Sequence, residues 1–422
     1  MKRIIKVITV IFLFSVFSSQ YVHASTMPEI EGKAGFTIDV ATGEMIYTKN
    51  IDERLYPAST TKLMTAIILA ENNKPADVFT YSKKAKAQEP YTISFNVKDI
   101  PVNDKITAAD AMDAMLIPSA NDIAYMVGEN AAGGNYKTFI ELMNKKVESL
   151  KLKNTHFVTA NGLNDPNHYT TAYDLSVIAR DASKYPWIMD TLAKKEGQIK
   201  SKDGVVATFK SKNKLFSEPG YLGGKTGYTS DAQRCLVSFF EIDGRKLVGV
   251  ILKSKLDTED DTVFDDMKKI INWSYSAKKE TLIKGNTQVK SLSAKYSLLP
   301  YIGPVKSLNI PLHSKVDIQR YVSSDEYKAT YSVLPINPWK LDKDVAVGSV
   351  TVTSRETKNT YPLYTSISGS DLLSSNFGFY IVFFGVIAFI IIILIAFLIL
   401  KKKYRRKKKR HNRTYTRRSR NL

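Results

Sequence analysis

The feature that most constrains this chain is an uncharged run of 24 residues near its end, residues 377–400. As a helix this run is about 35 Å long, at roughly 1.5 Å per residue, which is enough to cross the hydrocarbon core of a bilayer. The residues after it, 401–422, include thirteen lysines and arginines and no acidic residue. Because positive charge beside a span is retained in the cytoplasm, we expect one transmembrane helix followed by a basic cytoplasmic tail.

The first 24 residues predict that the chain is exported. They carry Lys2, Arg3 and Lys6, then an apolar stretch over residues 7–17, then a small-residue pattern that ends at Ala24. This arrangement is typical of a secretory signal peptide that is cleaved after Ala24. Together with the span, it predicts a single-pass protein of the cell membrane whose body is extracellular.

The composition argues against several classes of function. The formal net charge is +20, but without the thirteen basic residues of the tail and the three of the first 24 residues it is +4, so nucleic-acid binding is not supported. The one cysteine, Cys235, cannot form an internal disulfide and is expected in a core. The histidines show no metal-ligand spacing such as H-E-x-x-H, and His168 is expected to be a polar loop residue. We therefore expect no metal and no other cofactor.

The body of the chain is long enough for two domains. Residues 25–279 begin with a hairpin around residues 41–43, continue with several helical patterns, and return to two strands and a last helix. This order predicts an α+β domain with one antiparallel sheet and helices on its faces. Residues 280–365 contain short β-prone runs, which predict a small β-rich domain before the span.

A serine and a lysine three residues apart, Ser59 and Lys62, suggest chemistry in the stretch YPASTTKLMTA. On a helix the two side chains share a face, and the helix N-terminus favours a developing oxyanion. A serine nucleophile needs an adjacent base, but a lysine with the ordinary pKa of about 10.4 is protonated at neutral pH. The hypothesis therefore requires burial and a second nearby cation, which both lower a lysine pKa. The spacing alone is weak evidence, because it recurs at residues 211–214 and 276–279.

Two later motifs supply the groups that this hypothesis needs. The segment PSAND places Ser119 and Asn121 in a loop between two helices, where a hydroxyl and an amide can point into a cleft. The segment GGKTGYT places Lys225, Thr226 and Gly227 at the head of a strand. Lys225 is the candidate second cation. The glycines are expected to leave room for a ligand backbone beside an edge strand.

The ordered set S-x-x-K, S-x-N and K-T-G resembles the penicillin-recognising serine hydrolases. Its variants here are similar to those of the serine D-alanyl-D-alanine carboxypeptidases, the low-molecular-weight penicillin-binding proteins of peptidase family S11. The similar segments fall within about residues 32–277 and read YPASTTKLMTA, PSANDIA, NTHFVTANGLNDPNHYTTAYDLSVIAR and GGKTGYTSDAQRCLVSF. The resemblance implies the β-lactamase-like α+β fold, with a β-rich domain that holds it above the membrane.

The resemblance also implies an activity and a role for each matching residue. The activity is removal of the terminal D-alanine from the peptidoglycan pentapeptide through an acyl-enzyme, and β-lactams are covalent inhibitors. The resemblance implies that Ser59 is the nucleophile, Lys62 its base, and Ser119 and Asn121 the proton relay and the contact to a substrate amide. Lys225 and Thr226 would bind the substrate carboxylate, and Gly227 and Tyr228 would also contact the substrate. The backbone N–H groups of Ser59 and Tyr228 would form the oxyanion hole.

The chain departs from the family pattern at three places. It has Ala232-Gln233 where the family usually has Ala-Gly, and only Lys253 and Lys255 where an arginine often follows the next strand. It also has a true span where the anchor is often an amphipathic helix. These departures leave open which residue completes the binding of the substrate carboxylate.

Three other functions compete with carboxypeptidase activity. A transpeptidase would pass the same acyl group to an amine of another stem peptide, and the sequence does not separate an acceptor amine from water. A β-lactamase is a weaker interpretation, because nothing identifies a deacylating glutamate. A catalytically inactive wall-binding module would be favoured by a broken motif, but all three motifs are intact. The cross-link chemistry of the wall and the oligomeric state also stay open.

Overall fold

The structure is a computed structural model of the chain. It describes residues 27–418, except residues 132, 202, 203, 205, 300, 301, 322–326 and 356. The predicted signal peptide, residues 1–24, lies outside the described residues. The chain divides into two compact units, one formed by Met1–Glu280 with Arg320–Glu326 and the other by Thr281–Gln319 with Tyr327–Leu422.

The first unit is built on a five-stranded antiparallel sheet. The strands of this unit are β1 (Ala34–Asp39), β2 (Met45–Lys49), β3 (Val78–Thr80), β4 (Lys105–Thr107), β5 (Glu196–Lys200), β6 (Val206–Lys210), β7 (Tyr221–Thr229), β8 (Gln233–Ile242) and β9 (Arg245–Ser254). The central sheet has the order β2-β1-β9-β8-β7, while β3 pairs with β4 and β5 with β6. The predicted hairpins β1–β2 and β8–β9 are both present.

Helices cover both faces of this sheet. They are α1 (Lys62–Asn72), α2 (Lys83–Lys86), α3 (Ile93–Asn96), α4 (Ala108–Leu116), α5 (Asn121–Asn130), α6 (Tyr136–Ser149), α7 (Ala172–Ala182), α8 (Pro186–Leu192) and α9 (Thr262–Ser276). The larger core packs α1 and α7 against Val237 and Phe239 of β8. The smaller core packs α9 against Leu236 and Phe240 on the other face of the same strand.

This packing explains why β8 is apolar without alternation. A strand that is buried on both faces requires apolar side chains at successive positions, and residues 235–240 are all buried. Cys235 is fully buried in the larger core, as expected. The predicted α+β architecture, an antiparallel sheet with helices on its faces, is therefore confirmed.

The second unit is rich in β-strands, as the sequence predicts. Its strands are β10 (Glu280–Ile283), β11 (Gln288–Leu299), β12 (Ile302–His313), β13 (Ile318–Arg320), β14 (Lys328–Val333), β15 (Gly348–Ser354) and β16 (Thr357–Thr365). One sheet has the order β11-β12-β16-β15-β14, and β10 pairs with β13. Its core includes Ile310, Leu312, Val350 and Leu363.

Two helices end this unit, α10 (Gly369–Ser375) and α11 (Phe377–Arg418). Within α11, Phe377–Lys409 is long and apolar enough to cross a membrane, and it is the one helix of the described residues that meets this test. The helix is longer than the predicted span of residues 377–400, because the basic residues after it continue the same helix.

Candidate active site

The serine of the first motif stands on a tight turn just before α1. Residues Ala58–Thr61 form a short 3₁₀ helix, because the backbone N–H and the hydroxyl of Thr60 both donate to the carbonyl of Pro57, at 3.2 and 2.7 Å. Ala58 has a φ of +48°, a left-handed conformation that residues other than glycine rarely adopt. Strained backbone of this kind clusters at functional sites. Ser59, the next residue, is partly exposed.

Lys62 is held by three oxygen atoms that carry no formal charge. Its Nζ lies 2.8 Å from Oγ of Ser59, 2.7 Å from Oδ1 of Asn121 and 2.7 Å from the carbonyl oxygen of Asn161. The side chain is fully buried. An ammonium group donates to all three oxygens, whereas a neutral amine donates to two and keeps a lone pair for the serine hydroxyl. This geometry suits proton transfer from Ser59.

A second buried lysine, Lys225, contacts the same loop. Its Nζ donates to Oγ of Ser119 at 2.9 Å and to the carbonyl of Thr226 at 2.8 Å. Ser119 and Asn121, which are two residues apart before and at the start of α5, thus each bind one lysine. The loop achieves this with a φ of +72° at Ser119. The three separate motifs of the sequence therefore meet in one place.

Burial lowers the pKa of both lysines. The pKa of Lys62 lies well below its ordinary value, first because burial desolvates the charged form and then because Lys225 is positively charged, while Asp122 opposes the shift. Burial, helped by the charge of Lys212, lowers the pKa of Lys225 to about 7. The two conditions that the sequence sets for a lysine base, burial and a second cation, are both met at Lys62.

The K-T-G motif lies within an edge strand, not at its head. Strand β7 already begins at Tyr221 and forms the free edge of the central sheet, so the predicted strand start is wrong while the predicted edge is correct. A Cβ atom at Gly227 would lie 3.1 Å from the backbone nitrogen of Ser59. Gly227 therefore makes room for the serine turn. The same close contact brings together the segments that carry the backbone N–H groups of Ser59 and Tyr228.

The carbonyl that contacts Lys62 belongs to Asn161, for which the sequence predicts no role. The next residue, Gly162, has a φ of +85°, and a Cβ atom there would lie 2.0 Å from the carbonyl oxygen of Ala58. Glycine is therefore required where this loop crosses the serine turn. An Asn-Gly pair signals a turn in any sequence, but it does not reveal what the turn packs against.

The segment of residues 88–91 anchors both amides beside Lys62. Gln88 accepts a hydrogen bond from Nδ2 of Asn161 at 3.1 Å, and the carbonyl of Pro90 accepts one from Nδ2 of Asn121 at 2.5 Å. Asn121 is predicted to contact a substrate amide, yet its side chain is buried and binds protein groups at both ends. In this structure Asn121 orients Lys62.

His168 lies in a loop, as expected, but it is buried beside the serine turn. Its Nδ1 accepts a hydrogen bond from the backbone N–H of Val158 at 3.1 Å, so Nε2 carries the proton and donates to Oγ1 of Thr61 at 2.8 Å. Burial lowers the pKa of His168 to about 3. The imidazole is therefore neutral and supports the turn.

The two other S-x-x-K sequences have different surroundings. Lys214 lies 2.5 Å from a carboxylate oxygen of Asp261, and Lys279 lies 2.7 Å from Glu44. Both lysines are partly exposed. Neither lysine therefore meets the burial condition that the sequence sets for a lysine base.

Two further cations, Lys212 and Arg234, bring positive charge near Lys225 and Tyr228 of β7. Lys212 stacks over the ring of Tyr91, with its Nζ 4.6 Å from the ring centre. Burial and then the charge of Arg234 lower the pKa of Lys212, while Asp260 opposes them. Lys212 in turn lowers the pKa of Lys225. The site is therefore electropositive beyond the two lysines of the motifs.

Arg234 is the second of these cations. It lies on β8 opposite Tyr228, stacks over that ring at 4.8 Å, and forms an ion pair with Asp260. Its buried Nε has no hydrogen-bond partner among the described residues. Lys253 and Lys255, which stand where the family often has an arginine, are exposed.

Comparisons with known proteins agree with this geometry. The family model described as D-alanyl-D-alanine carboxypeptidase matches residues 21–255. The chain is similar to D-alanyl-D-alanine carboxypeptidase DacF of Bacillus subtilis (strain 168), with 26% identity over 74% of this chain and 80% of that protein. It is also similar to the D-alanyl-D-alanine carboxypeptidase of Streptomyces sp. (strain K15), with 31% identity over 60% of this chain and 90% of that protein.

Solved structures show the same relationship. The crystal structure of the Streptomyces K15 DD-transpeptidase has a TM-score of 0.54 and 29% identity, and the match covers 60% of this chain and 99% of that one. A putative penicillin-binding protein homologue from Mycobacterium tuberculosis shares the fold, with a TM-score of 0.56 at 23% identity over 61% of this chain and 96% of that one. The first unit thus has the fold of the DD-peptidases. Since the family model matches more than half of the chain, the protein belongs to the D-alanyl-D-alanine carboxypeptidase family of serine peptidases.

Proposed function

We propose that this protein removes the terminal D-alanine from peptidoglycan pentapeptides by way of an acyl-enzyme on Ser59. The observation that carries the proposal is the 2.8 Å contact between Nζ of Lys62 and Oγ of Ser59. Lys62 is fully buried, and its pKa is lowered well below its ordinary value, chiefly by burial. A neutral lysine in hydrogen-bond contact is the activating base that a serine nucleophile needs.

The chemistry proceeds in two steps. Lys62 accepts the Ser59 proton while Oγ attacks the carbonyl carbon of the penultimate D-alanine, and the backbone N–H groups of Ser59 and Tyr228 stabilise the oxyanion. The amide bond then breaks, the leaving D-alanine takes the proton at its amine nitrogen by way of Lys62 and Ser119, and an ester remains on Ser59. Water hydrolyses this ester and restores the enzyme.

The carboxylate of the substrate would bind at the electropositive end of β7. Lys225 supplies a buried positive charge and Thr226 a hydroxyl on the neighbouring position of the strand. Arg234 and Lys212 are the candidates to complete this carboxylate site, because they bring positive charge to the same end of the strand. A penicillin carries a carboxylate beside its reactive amide and would acylate Ser59 in the same way.

We further propose that the chain works outside the cell as a single-pass membrane protein. The proposed organisation is a signal peptide at residues 1–24, a catalytic domain at 25–279, a β-rich domain at 280–365, a transmembrane helix at 377–400 and a cytoplasmic tail at 401–422. The apolar helix that could cross a membrane supports the anchor. Peptidoglycan stem peptides are the substrates that an enzyme of this family would meet there.

Transpeptidation is the second candidate function. The comparison that favours it is the solved structure from Streptomyces K15, which bears the name DD-transpeptidase. Incubation of the full chain in detergent with a diacyl-Lys-D-Ala-D-Ala peptide, with and without an added amine, separates the two functions. Free D-alanine with little amine adduct supports the carboxypeptidase, and adduct in excess supports the transpeptidase.

The acyl-enzyme itself is tested by labelling with a fluorescent penicillin. We expect covalent labelling of the parent and its loss in Ser59→Ala, because Lys62 is the one buried lysine among the three S-x-x-K sequences, all of which the structure describes. Ser211→Ala and Ser276→Ala are the matched controls and should label as the parent does. Labelling that survives in Ser59→Ala would refute the assignment.

A further inference from the structure

An apolar groove lies in the second unit, beside the start of α11. Its volume is about 570 Å³ and its lining is almost entirely carbon. The helix contributes Phe377, Tyr380, Ile381 and Phe384, and Leu299 at the end of β11 and Leu373 of α10 contribute to the groove as well. Leu373, Phe377 and Phe384 are each more than half exposed. A carbon-lined groove of this size needs an apolar occupant, since exposed apolar patches are unfavourable in water.

Hydrogen bonds fix β11 along the beginning of α11. Nδ2 of Asn376 donates to the hydroxyl of Tyr296 at 2.9 Å. The hydroxyl of Tyr380, one helical turn further on, donates to the carbonyl of Leu298 at 2.6 Å. As β11 advances by two residues, its contacts thus move by one turn along the helix. The end of β11 therefore runs in the same direction as the apolar helix.

The position of the groove along the apolar helix gives its depth in a membrane. The uncharged run of 24 residues is about 35 Å long as a helix, and a hydrocarbon core is about 30 Å thick, so a centred span leaves only about 3 Å outside at each end. Phe384 would then lie about 7 Å inside the hydrocarbon. Leu299 lines the same groove as Phe377 and Phe384, and its neighbour Leu298 binds the hydroxyl of Tyr380, so the end of β11 lies at the outer edge of the hydrocarbon.

We propose that the end of β11 and α10 enter the outer leaflet, and that a lipid acyl chain fills the groove. The proposal rests on the transmembrane topology proposed above. The occupant follows from chemistry, because the lining offers almost no polar group and a peptide backbone placed there would lose its hydrogen bonds. The groove also opens onto the surface of the span, whose surroundings are acyl chains. The β-rich unit thus contacts the membrane at a second place besides its span.

Depth-dependent quenching tests this proposal on the full chain in lipid nanodiscs. Cys235 is fully buried, so a single introduced cysteine can be labelled with a fluorophore. The test positions are Leu299→Cys and Leu373→Cys, and Ser293→Cys, exposed on the same strand β11, is the matched control. Ile390→Cys, within the span, reports the topology. The probes are phospholipids with a nitroxide on the headgroup, near the headgroup end of the acyl chain, or near its methyl end.

We expect the labels at positions 299 and 373 to be quenched most by the nitroxide near the headgroup end of the acyl chain, at least roughly threefold more than the control label. The label at position 390 should be quenched most by a nitroxide deeper in the bilayer. Quenching at 299 and 373 that equals the control, while 390 is quenched, overturns the groove proposal and leaves the span intact. Stronger quenching by the headgroup nitroxide would also overturn it, because the groove would then lie above the acyl chains. If 390 is not quenched either, the topology itself is wrong.

Discussion

At the scale of single residues, this site depends on the protonation of two buried amines. Among the described residues, no carboxylate makes a hydrogen bond to Lys62 or Lys225, and burial is the first cause of the lowered pKa of each. The positive charge of Lys225 is the second cause at Lys62. Substitutions that alter the ability of these amines to gain or lose a proton therefore test the mechanism directly.

Replacing the base with a fixed cation should abolish acylation. Lys62→Arg keeps a positive charge, but a guanidinium stays protonated under all working conditions and cannot accept the Ser59 proton. We expect the second-order rate of penicillin acylation to fall by two or more powers of ten, which corresponds to about 2.7 kcal/mol or more of transition-state stabilisation. Lys225→Arg keeps the second cation and should be much milder, with thermal melts as the folding control. Acylation by Lys62→Arg within about threefold of the parent would show that the base lies elsewhere.

Removing the charge of Lys212 should change the pH profile of acylation. Lys225, with a pKa of about 7, loses its positive charge as the pH rises, and the rate should fall with it. The Lys212 charge lowers the pKa of Lys225, so Lys212→Met should raise that pKa and move the alkaline limb to higher pH. The measurement is the acylation rate across pH 5–10, with Lys210→Met, an exposed lysine on β6, as the matched control. An alkaline limb that stays in place or moves to lower pH contradicts this assignment.

At the scale of elements, the first residue of β8, directly after the turn from β7, is one of the departures from the family pattern. Gln233 stands where the family usually has glycine, and its φ is +54°. A left-handed conformation costs a non-glycine residue about 1–2 kcal/mol. Glycine avoids this cost, although its greater freedom in the unfolded chain offsets part of the gain.

Two substitutions at this position separate conformation from side-chain contacts. Both Gln233→Gly and Gln233→Ala remove the hydrogen bond from Nε2 to the carbonyl of Ser230, but only the glycine relieves the strained backbone. We expect the glycine variant to be more stable than the alanine variant by about 0.5–1 kcal/mol. Thermal melts of the two variants side by side provide the measurement. Equal melting temperatures would mean that the turn adapts without strain.

At the scale of the whole molecule, the basic tail after the apolar helix predicts how the chain is oriented in a membrane. We expect an impermeant maleimide to label Ser293→Cys, an exposed position of β11, on intact cells, because the proposed topology places the β-rich unit outside. Ser419→Cys, in the basic tail, should be labelled only after lysis. Cys235 is buried and should contribute little background. Labelling of position 419 on intact cells would reverse the proposed topology.

Much of this molecule could be predicted from short stretches of its sequence. Periodicity and charge act locally, so a short stretch of sequence is enough to predict a feature that depends on them. These features are the apolar run, the basic tail, the hairpin around residues 41–43 and the helical patterns. The order of the three motifs also sufficed to predict that Ser59, Lys62 and Lys225 share a site. The α+β architecture followed from the order of strands and helices.

Only the tertiary structure decided what surrounds those residues. Lys62 contacts Asn121 and Asn161 across 59 and 99 residues of chain, and Lys225 contacts Ser119 across 106. The buried state of His168 and the tight contact of Gly227 with the serine turn depend on the same long-range packing. The pKa of a lysine is set by its desolvation and by charges close to it in space. Such neighbours are fixed by the path of the whole chain, so no single stretch of sequence contains them.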